Sequence, residues 1–356
     1  MFVDTEGFNI SLPVDDNRNF ILVGETGKGK SYLNCRLIEK AVKNNRNILI
    51  IDYTGSYAES ELITNKLELP ESVRCFDISE EKFSWKGRYC NDELYKADVA
   101  DALISALGIS GELQANELRK QFFEYSTPQN PFKLKSFVNF LKQKLEEIQK
   151  ESNNVSDGDS LKKIIERVSS IKLLDHFSVK NDVSGIPIEE KGNLTILQLN
   201  NLGEKEQLFC TTLILELIWR EQKNPKEYRH CSLIVLDEYQ DVYQNCRAVF
   251  KNIMCKGRKH GLNVIVSTQF LSQYNEKDLD SFSQNANFVI FKPSMKGLKS
   301  CKEIISYSSI YDEDLQIVEK YLKAFDVGDV FFCGKYVVNH GTRTHTRPIV
   351  CKVKAK

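Results

Sequence analysis

Six short segments of the chain are apolar at nearly every position, without polar alternation. They are Phe20-Ile21-Leu22-Val23, Ile48-Leu49-Ile50-Ile51, Leu194-Thr195-Ile196-Leu197, Leu233-Ile234-Val235-Leu236, Asn263-Val264-Ile265-Val266 and Phe288-Val289-Ile290-Phe291. Strands that are apolar on both faces belong to a parallel sheet covered by helices on both sides. The first run stops at a Gly-rich stretch, and a helical pattern follows with Leu33, Leu37, Ile38 and Val42 on one face. The second run comes next and ends in Asp52. Strand, Gly-rich turn, helix and strand make a βαβ unit, and the whole predicts a doubly wound α/β fold.

Between about residues 90 and 185 the period turns helical. Leu94, Val99, Leu103, Ile104 and Leu107 share a stripe, and Phe132 to Ile148 reads as a further helix. The polar stretch Glu151 to Asp159 reads as an exposed loop. The expected organisation is therefore an α/β domain split in two, residues 1–89 and 186–330, around a helical insertion at 90–185. Residues 331–356 follow as a basic tail. From Val330 to Lys356 the chain has no acidic residue but carries Lys335, Arg343, Arg347, Lys352, Lys354 and Lys356.

Composition narrows the class. Of 356 residues, 41% are hydrophobic and 28% charged, which excludes a largely disordered chain. Lys+Arg and Asp+Glu both total 49, so this is no polybasic nucleic-acid coat, and the basic tail is a local feature that the balance conceals. No apolar run approaches the roughly 18–20 residues that span a bilayer. The start, Met1-Phe2-Val3-Asp4-Thr5-Glu6, lacks a basic n-region and an apolar h-region, so a cytoplasmic protein without membrane contact is expected. Ten cysteines contain no CxxC pair and the five histidines are scattered, so reduced thiols rather than a zinc knuckle are expected.

The candidate chemistry starts at Gly24-Glu25-Thr26-Gly27-Lys28-Gly29-Lys30-Ser31, which matches GxxxxGK[ST] between a predicted strand and a predicted helix. Glycines there let backbone N–H groups wrap phosphates, and the helix N-terminus adds its positive dipole end. Lys30 would reach the β- and γ-phosphates of ATP, and Ser31 would place its hydroxyl on Mg²⁺. The run Leu233 to Leu236 ends in Asp237-Glu238. With a P-loop in the chain, this pair reads as Asp237 holding magnesium and Glu238 orienting or deprotonating the attacking water. Asp52-Tyr53-Thr54-Gly55 fits the DxxG of GTPases, but the nearest NKxD-like string, Asn65-Lys66-Leu67-Glu68, has Glu for Asp and lies too close, so ATP is the expected nucleotide. A further strand ends in Ser267-Thr268-Gln269, at the edge where α/β sheets bind ligands, so Gln269 can sense the γ-phosphate or position water. Just before that strand, Cys255-Lys256-Gly257-Arg258-Lys259-His260-Gly261 offers Arg258 as a charge that could reach a neighbouring subunit's site.

In this order, GETGKGKS, IIDYTGSY, LIVLDEYQDV, GRKHGLNVIVSTQ and SQNANFVIFK resemble the HerA/FtsK superfamily of P-loop ATPases, most closely its HerA-like branch. The resemblance covers about residues 18–60 and 190–295. It implies a homohexameric ring, ATP hydrolysis at subunit interfaces and double-stranded DNA in a central channel. It also puts Arg258 at the position of the arginine acting in trans and Gln269 at that of the sensor, with Arg343 and Arg347 as rival arginines. The sequence departs from the family in two places. A P-loop starting at Gly24 leaves no room for an N-terminal β-barrel, and the family's Asp-Glu-Ala-His is here Asp237-Glu238-Tyr239-Gln240.

The function so implied is a DNA-translocating motor working with a separately encoded effector, such as a nuclease or a sirtuin-like NADase, in anti-phage defence. One alternative is a ring scaffold that uses ATP as a switch to gate that effector. Another is a viral genome-packaging ATPase, which capsid genes nearby would identify. No aromatic-basic string specifies a DNA-binding module, so DNA contact is expected to be to phosphates, independent of sequence and weakened by salt.

Overall fold

The computed structural model describes residues 2–12, 19–57, 73–80, 93–126, 133–151, 158–171, 194–223, 231–239, 242–307, 312–339, 341 and 343–354, and positions 152–157 of the stretch read as an exposed loop lie outside the described residues. The strands are β1 (Phe2–Asp4), β2 (Asn9–Ser11), β3 (Asn19–Val23), β4 (Ile48–Asp52), β5 (Val73–Asp77), β6 (Leu194–Gln198), β7 (Leu233–Leu236), β8 (Asn263–Thr268), β9 (Ala286–Ile290), β10 (Asp329–Cys333), β11 (Val337–Val338) and β12 (Ile349–Val353). They form one sheet in the order β11-β2-β1-β12-β10-β9-β3-β8-β7-β4-β6-β5. From β9 to β5 every pairing is parallel. From β10 to β11 every pairing is antiparallel.

The parallel half contains all six segments expected from the apolar runs, because each is buried on both sides. Phe20, Leu22, Ile48, Ile50, Val235 and Ile265 face one core with the helix α1 (Lys30–Lys43). Their neighbours Ile21, Val23, Leu49, Ile51, Ile234 and Val266 face the other, as the period of two requires. The antiparallel half was not anticipated. Its strands are two to five residues long and, apart from the β1–β2 pair, join segments remote in sequence, so they leave little periodic signal. The segment read as a basic tail carries β11 and β12, and β12 lies between β1 and β10.

On the second face, α2 (Glu93–Ala106), α3 (Glu112–Tyr125), α4 (Leu134–Glu151) and α5 (Asp159–Ser169) join the same apolar cluster as α6 (Glu204–Lys223) and α7 (Tyr243–Lys256). Helix α6 is buried almost all round because α2 covers one side of it and α7 another. Arg220 fixes α2 to α6 with a 2.9 Å ion pair to Asp98, and Ser105 donates to Glu216 at 2.9 Å. The remaining helices are α8 (Glu276–Asn285), α9 (Leu298–Ser306) and α10 (Asp312–Ala324). Among the described residues no helix is long and apolar enough to cross a membrane.

Candidate nucleotide site

Strand β3 lies between β8 and β9, with Val23 paired to Thr268 on one side and Ile290 on the other. The chain leaves it through Gly24, whose N–H donates to Thr268 O at 3.3 Å, and Glu25, whose N–H donates to Lys292 O at 2.9 Å. Gly24 is confined: a Cβ there would lie 2.6 Å from Cβ of Phe291. Gly29 ends the loop at φ +108°, a left-handed conformation that leads into α1 and favours glycine. The strand, left-handed turns and helix start form the backbone cradle that the GxxxxGK[ST] spacing predicts.

Lys30 opens α1 and is buried, with Nζ donating to Gly24 O at 2.7 Å and Glu25 O at 3.0 Å. Burial pulls its ammonium below the ordinary lysine value, and the charges of Glu238, Asp237 and Glu25 pull it partly back. The loop's cation and the acids after β7 are therefore electrostatic neighbours. Ser31, one position on, is exposed to solvent in the first turn of α1.

Asp237 follows β7 and is buried. Its Oδ2 accepts from Tyr57 Oη at 2.8 Å, and its Oδ1 from the Glu238 N–H at 3.1 Å. Burial pushes this carboxyl above its ordinary value, while hydrogen bonds from Tyr57 and Ser267 draw it back. Glu238 takes φ +51°, a left-handed conformation unusual for a residue with a side chain. There its Oε2 accepts from Gln269 Nε2 at 3.0 Å. Lys30, Asp237, Glu238 and Gln269 thus gather at the carboxyl ends of three neighbouring strands, β3, β7 and β8.

Three further residues in this cluster carry no role in the sequence reading. Tyr57 is buried, and besides donating to Asp237 it accepts from Asn34 Nδ2 at 2.9 Å. Asn34, buried on α1, also donates to Ser267 Oγ on β8. Tyr57 is placed by Asp52, whose Oδ1 accepts from the N–H groups of Thr54 (3.1 Å), Gly55 (2.9 Å) and Ser56 (3.2 Å), and whose Oδ2 accepts from that of Tyr57 (2.9 Å). The signal was Asp52-x-x-Gly-x-Tyr57. The carboxylate of Asp52 caps a turn instead of facing the phosphates.

Arg258 is not part of this cluster. It lies exposed in a short 3-10 turn, Gly257–His260, that enters β8 at the end opposite Gln269. Six residues of strand, at about 3.3 Å each, put roughly 20 Å between the two ends. Arg343 and Arg347 are exposed on the segment between β11 and β12. Gln240 and Asp241 lie outside the described residues.

A glycine cradle, a buried ammonium, a hydroxyl at the helix start and a carboxylate at a strand end together fit a nucleoside triphosphate with a magnesium ion. Magnesium takes one or two protein oxygens and completes its shell with phosphate and water.

Comparison with known proteins agrees with this geometry. Residues 2–218 match the family model "Helicase HerA, central domain". The DNA double-strand break repair helicase HerA of Sulfurisphaera tokodaii is 23% identical over 333 residues, which is 90% of this chain and 63% of that protein. The chain thus spans less than two thirds of the length of this curated relative. Among solved structures, VirB4 of Thermoanaerobacter pseudethanolicus superposes with a TM-score of 0.68 at 13% identity, covering 100% of this chain and 96% of that one. The plasmid coupling protein TrwB in complex with ADP and Mg²⁺ gives a TM-score of 0.61 at 15% identity, covering 96% and 85%. At these identities the structural likeness establishes the fold.

Proposed function

Since the chain belongs to the HerA central-domain family of P-loop ATPases, we propose that it hydrolyses ATP as a homohexameric ring that moves double-stranded DNA. The observation that supports this reading most directly is the meeting of Lys30, Asp237, Glu238 and Gln269 at adjacent strand ends, with Gln269 Nε2 3.0 Å from Glu238 Oε2. In this reading the loop from Gly24 to Gly29 and the Lys30 ammonium bind the β- and γ-phosphates, and Ser31 with Asp237 holds magnesium. When bound, magnesium neutralises charge on the phosphate oxygens. Glu238 takes the proton of the attacking water, and Gln269 fixes the Glu238 carboxylate and reports the γ-phosphate.

Arg258 of a neighbouring copy would supply positive charge to that site, because its own site lies a strand's length away. Contact with DNA is through phosphates, hence indifferent to base sequence and weakened by salt. The proposed setting is the cytoplasm, with residues 90–185 as a helical insertion in the ATPase domain and a nuclease or sirtuin-like NADase as the effector that the ring serves in anti-phage defence.

The test is the ATPase rate with and without linear double-stranded DNA, with mass measured by light scattering on the same sample. A hexamer stimulated several-fold is expected. A hexamer indifferent to DNA would replace the motor by an ATP-switched scaffold for the effector. Turnover unchanged by Lys30→Ala would remove the nucleotide-site assignment itself.

A further inference from the structure

The strand order gives the nucleotide site two unlike flanks. On one side of β3 lie β8 and β7 with Gln269, Asp237 and Glu238, where the terminal phosphate would react. On the other lie β9 and the antiparallel half of the sheet. A triphosphate laid along the loop with its γ end at the carboxylates directs its base toward this second flank.

Two segments there are hydrogen-bonded to the P-loop backbone. The first follows β9, where Lys292 O accepts from the Glu25 N–H at 2.9 Å. The second is the turn Asp326-Val327-Gly328-Asp329 before β10. Its Gly328 N–H donates to Lys28 O at 3.2 Å, and its Gly328 O accepts from the Val353 N–H of β12 at 2.9 Å. The turn is closed by the Asp329 N–H to Asp326 O at 3.3 Å, and Asp329 Oδ2 accepts from the Asp326 N–H at 3.0 Å. With Gly328 at φ +86°, Val327 occupies the tip.

Turn tips are ordinarily polar, yet each of these two segments carries one exposed apolar side chain. Val327 is 60% exposed and Met295, after β9, is 76% exposed. A single exposed apolar residue needs no explanation. Val327 differs because its backbone is tied on one side to the P-loop and on the other to β12, so its position relative to the phosphates is fixed before any ligand arrives.

We propose that the turn at Val327 is the base rest of the nucleotide site, its isopropyl group packing against the face of the purine, with Met295 as an adaptable second contact. This rests on the reading of the P-loop as a triphosphate site and adds where the nucleoside end is held. It also gives the C-terminal strand β12 a function, since β12 braces the turn.

The test compares binding of Mg²⁺-ATP with that of Mg²⁺-tripolyphosphate, which has the phosphates but no base, by titration calorimetry on the full chain. Val327→Ser should weaken ATP about 10-fold by removing apolar contact from the purine without adding charge beside the phosphates. Tripolyphosphate should change by less than about 2-fold, and Val327→Ile should keep ATP affinity. Val327 is exposed, so neither change disturbs the core. Equal loss of ATP and tripolyphosphate, as expected if Val327 instead seats a neighbouring subunit, would overturn the base rest, and so would ATP affinity unchanged in Val327→Ser. If the unsubstituted chain bound neither ligand, the triphosphate site would fall first and the base rest with it.

Discussion

The phenol of Tyr57 donates to Asp237 Oδ2 at 2.8 Å across a sequence separation of 180 residues. Asn34 donates to the same phenol at 2.9 Å, so α1, the turn after β4 and the acid after β7 meet at one buried oxygen. Removing that hydroxyl takes away the Oδ2 donor of a buried carboxylate and leaves it the Glu238 N–H and Ser267. Tyr57→Phe should cost about 1–3 kcal/mol of stability. It should also lower turnover at saturating ATP while leaving ATP affinity near normal, because Asp237 is no longer oriented. Steady-state kinetics across a magnesium titration check this. A variant with unchanged turnover and unchanged magnesium requirement would reduce Tyr57 to a packing residue.

Glu238 holds its carboxylate toward Gln269 at the expense of a left-handed backbone, φ +51°. For a residue with a Cβ that conformation costs about 1–2 kcal/mol, and glycine avoids it. Glu238→Gly should therefore be more stable than Glu238→Ala by about 1 kcal/mol, with both lacking turnover. Glu238→Gln should keep the fold and ATP binding and lose hydrolysis by at least about 100-fold. Thermal melts and single-turnover assays on the three variants separate backbone strain from chemistry. Hydrolysis at the normal rate in Glu238→Gln would remove it as the base.

Much of this was legible from the sequence because the parallel strands are apolar at successive positions and end in the residues that gather at the site. Asp237 and Glu238 directly follow one apolar run, Gln269 lies three residues after another, and Lys30 ends the Gly-rich loop that follows a third, so locating the strands located them. Tyr57 and Asn34 escaped notice for a physical reason. Asn34 lies inside a helix whose pattern is dominated by Leu33, Leu37 and Ile38, and Tyr57 reaches the site only through the four-amide turn on Asp52. The wing of β1, β2, β10, β11 and β12 was invisible because it pairs the first residues of the chain with the last, Phe2 opposite Val353.

Asp278 on α8 is buried and accepts from three residues of α7: Tyr243 Oη at 2.7 Å, Arg247 Nε at 2.8 Å and Lys251 Nζ at 2.7 Å. Burial alone would raise its carboxyl, but the hydrogen bonds from Lys251, Tyr243 and Arg247 outweigh it and hold the group below its ordinary value. A carboxylate more acidic in the folded than in the unfolded chain stabilises above the unfolded value, near pH 4, and that contribution is lost as pH falls through the folded value. Asp278→Asn should cost about 2 kcal/mol at pH 7, discounted for the half-exposed Arg247 and Lys251. The gap from the unsubstituted protein should close toward pH 3. Urea unfolding at the two pH values checks this, and a gap independent of pH would mean that the ion pairs contribute nothing measurable.

Arg258 precedes β8 while Gln269 follows it, so one subunit cannot bring both to the same phosphate without breaking the strand between them. If the arginine takes part in hydrolysis, it acts on a neighbouring copy, and in a ring every site then combines residues from two chains. Arg258→Ala should fold and assemble but lose turnover by at least about 1000-fold. Mixing it with Glu238→Gln, itself inactive, should restore part of the activity. In an equimolar random ring, about one interface in four joins an intact Glu238 to an intact Arg258. The control is a mixture of Arg258→Ala with Lys30→Ala subunits, which creates the same proportion of complete sites and should recover equally. Confirmed mixed rings without recovery would exclude action in trans by Arg258 and turn the search to Arg343 and Arg347, whose exposure beside β12 leaves both able to cross a subunit boundary.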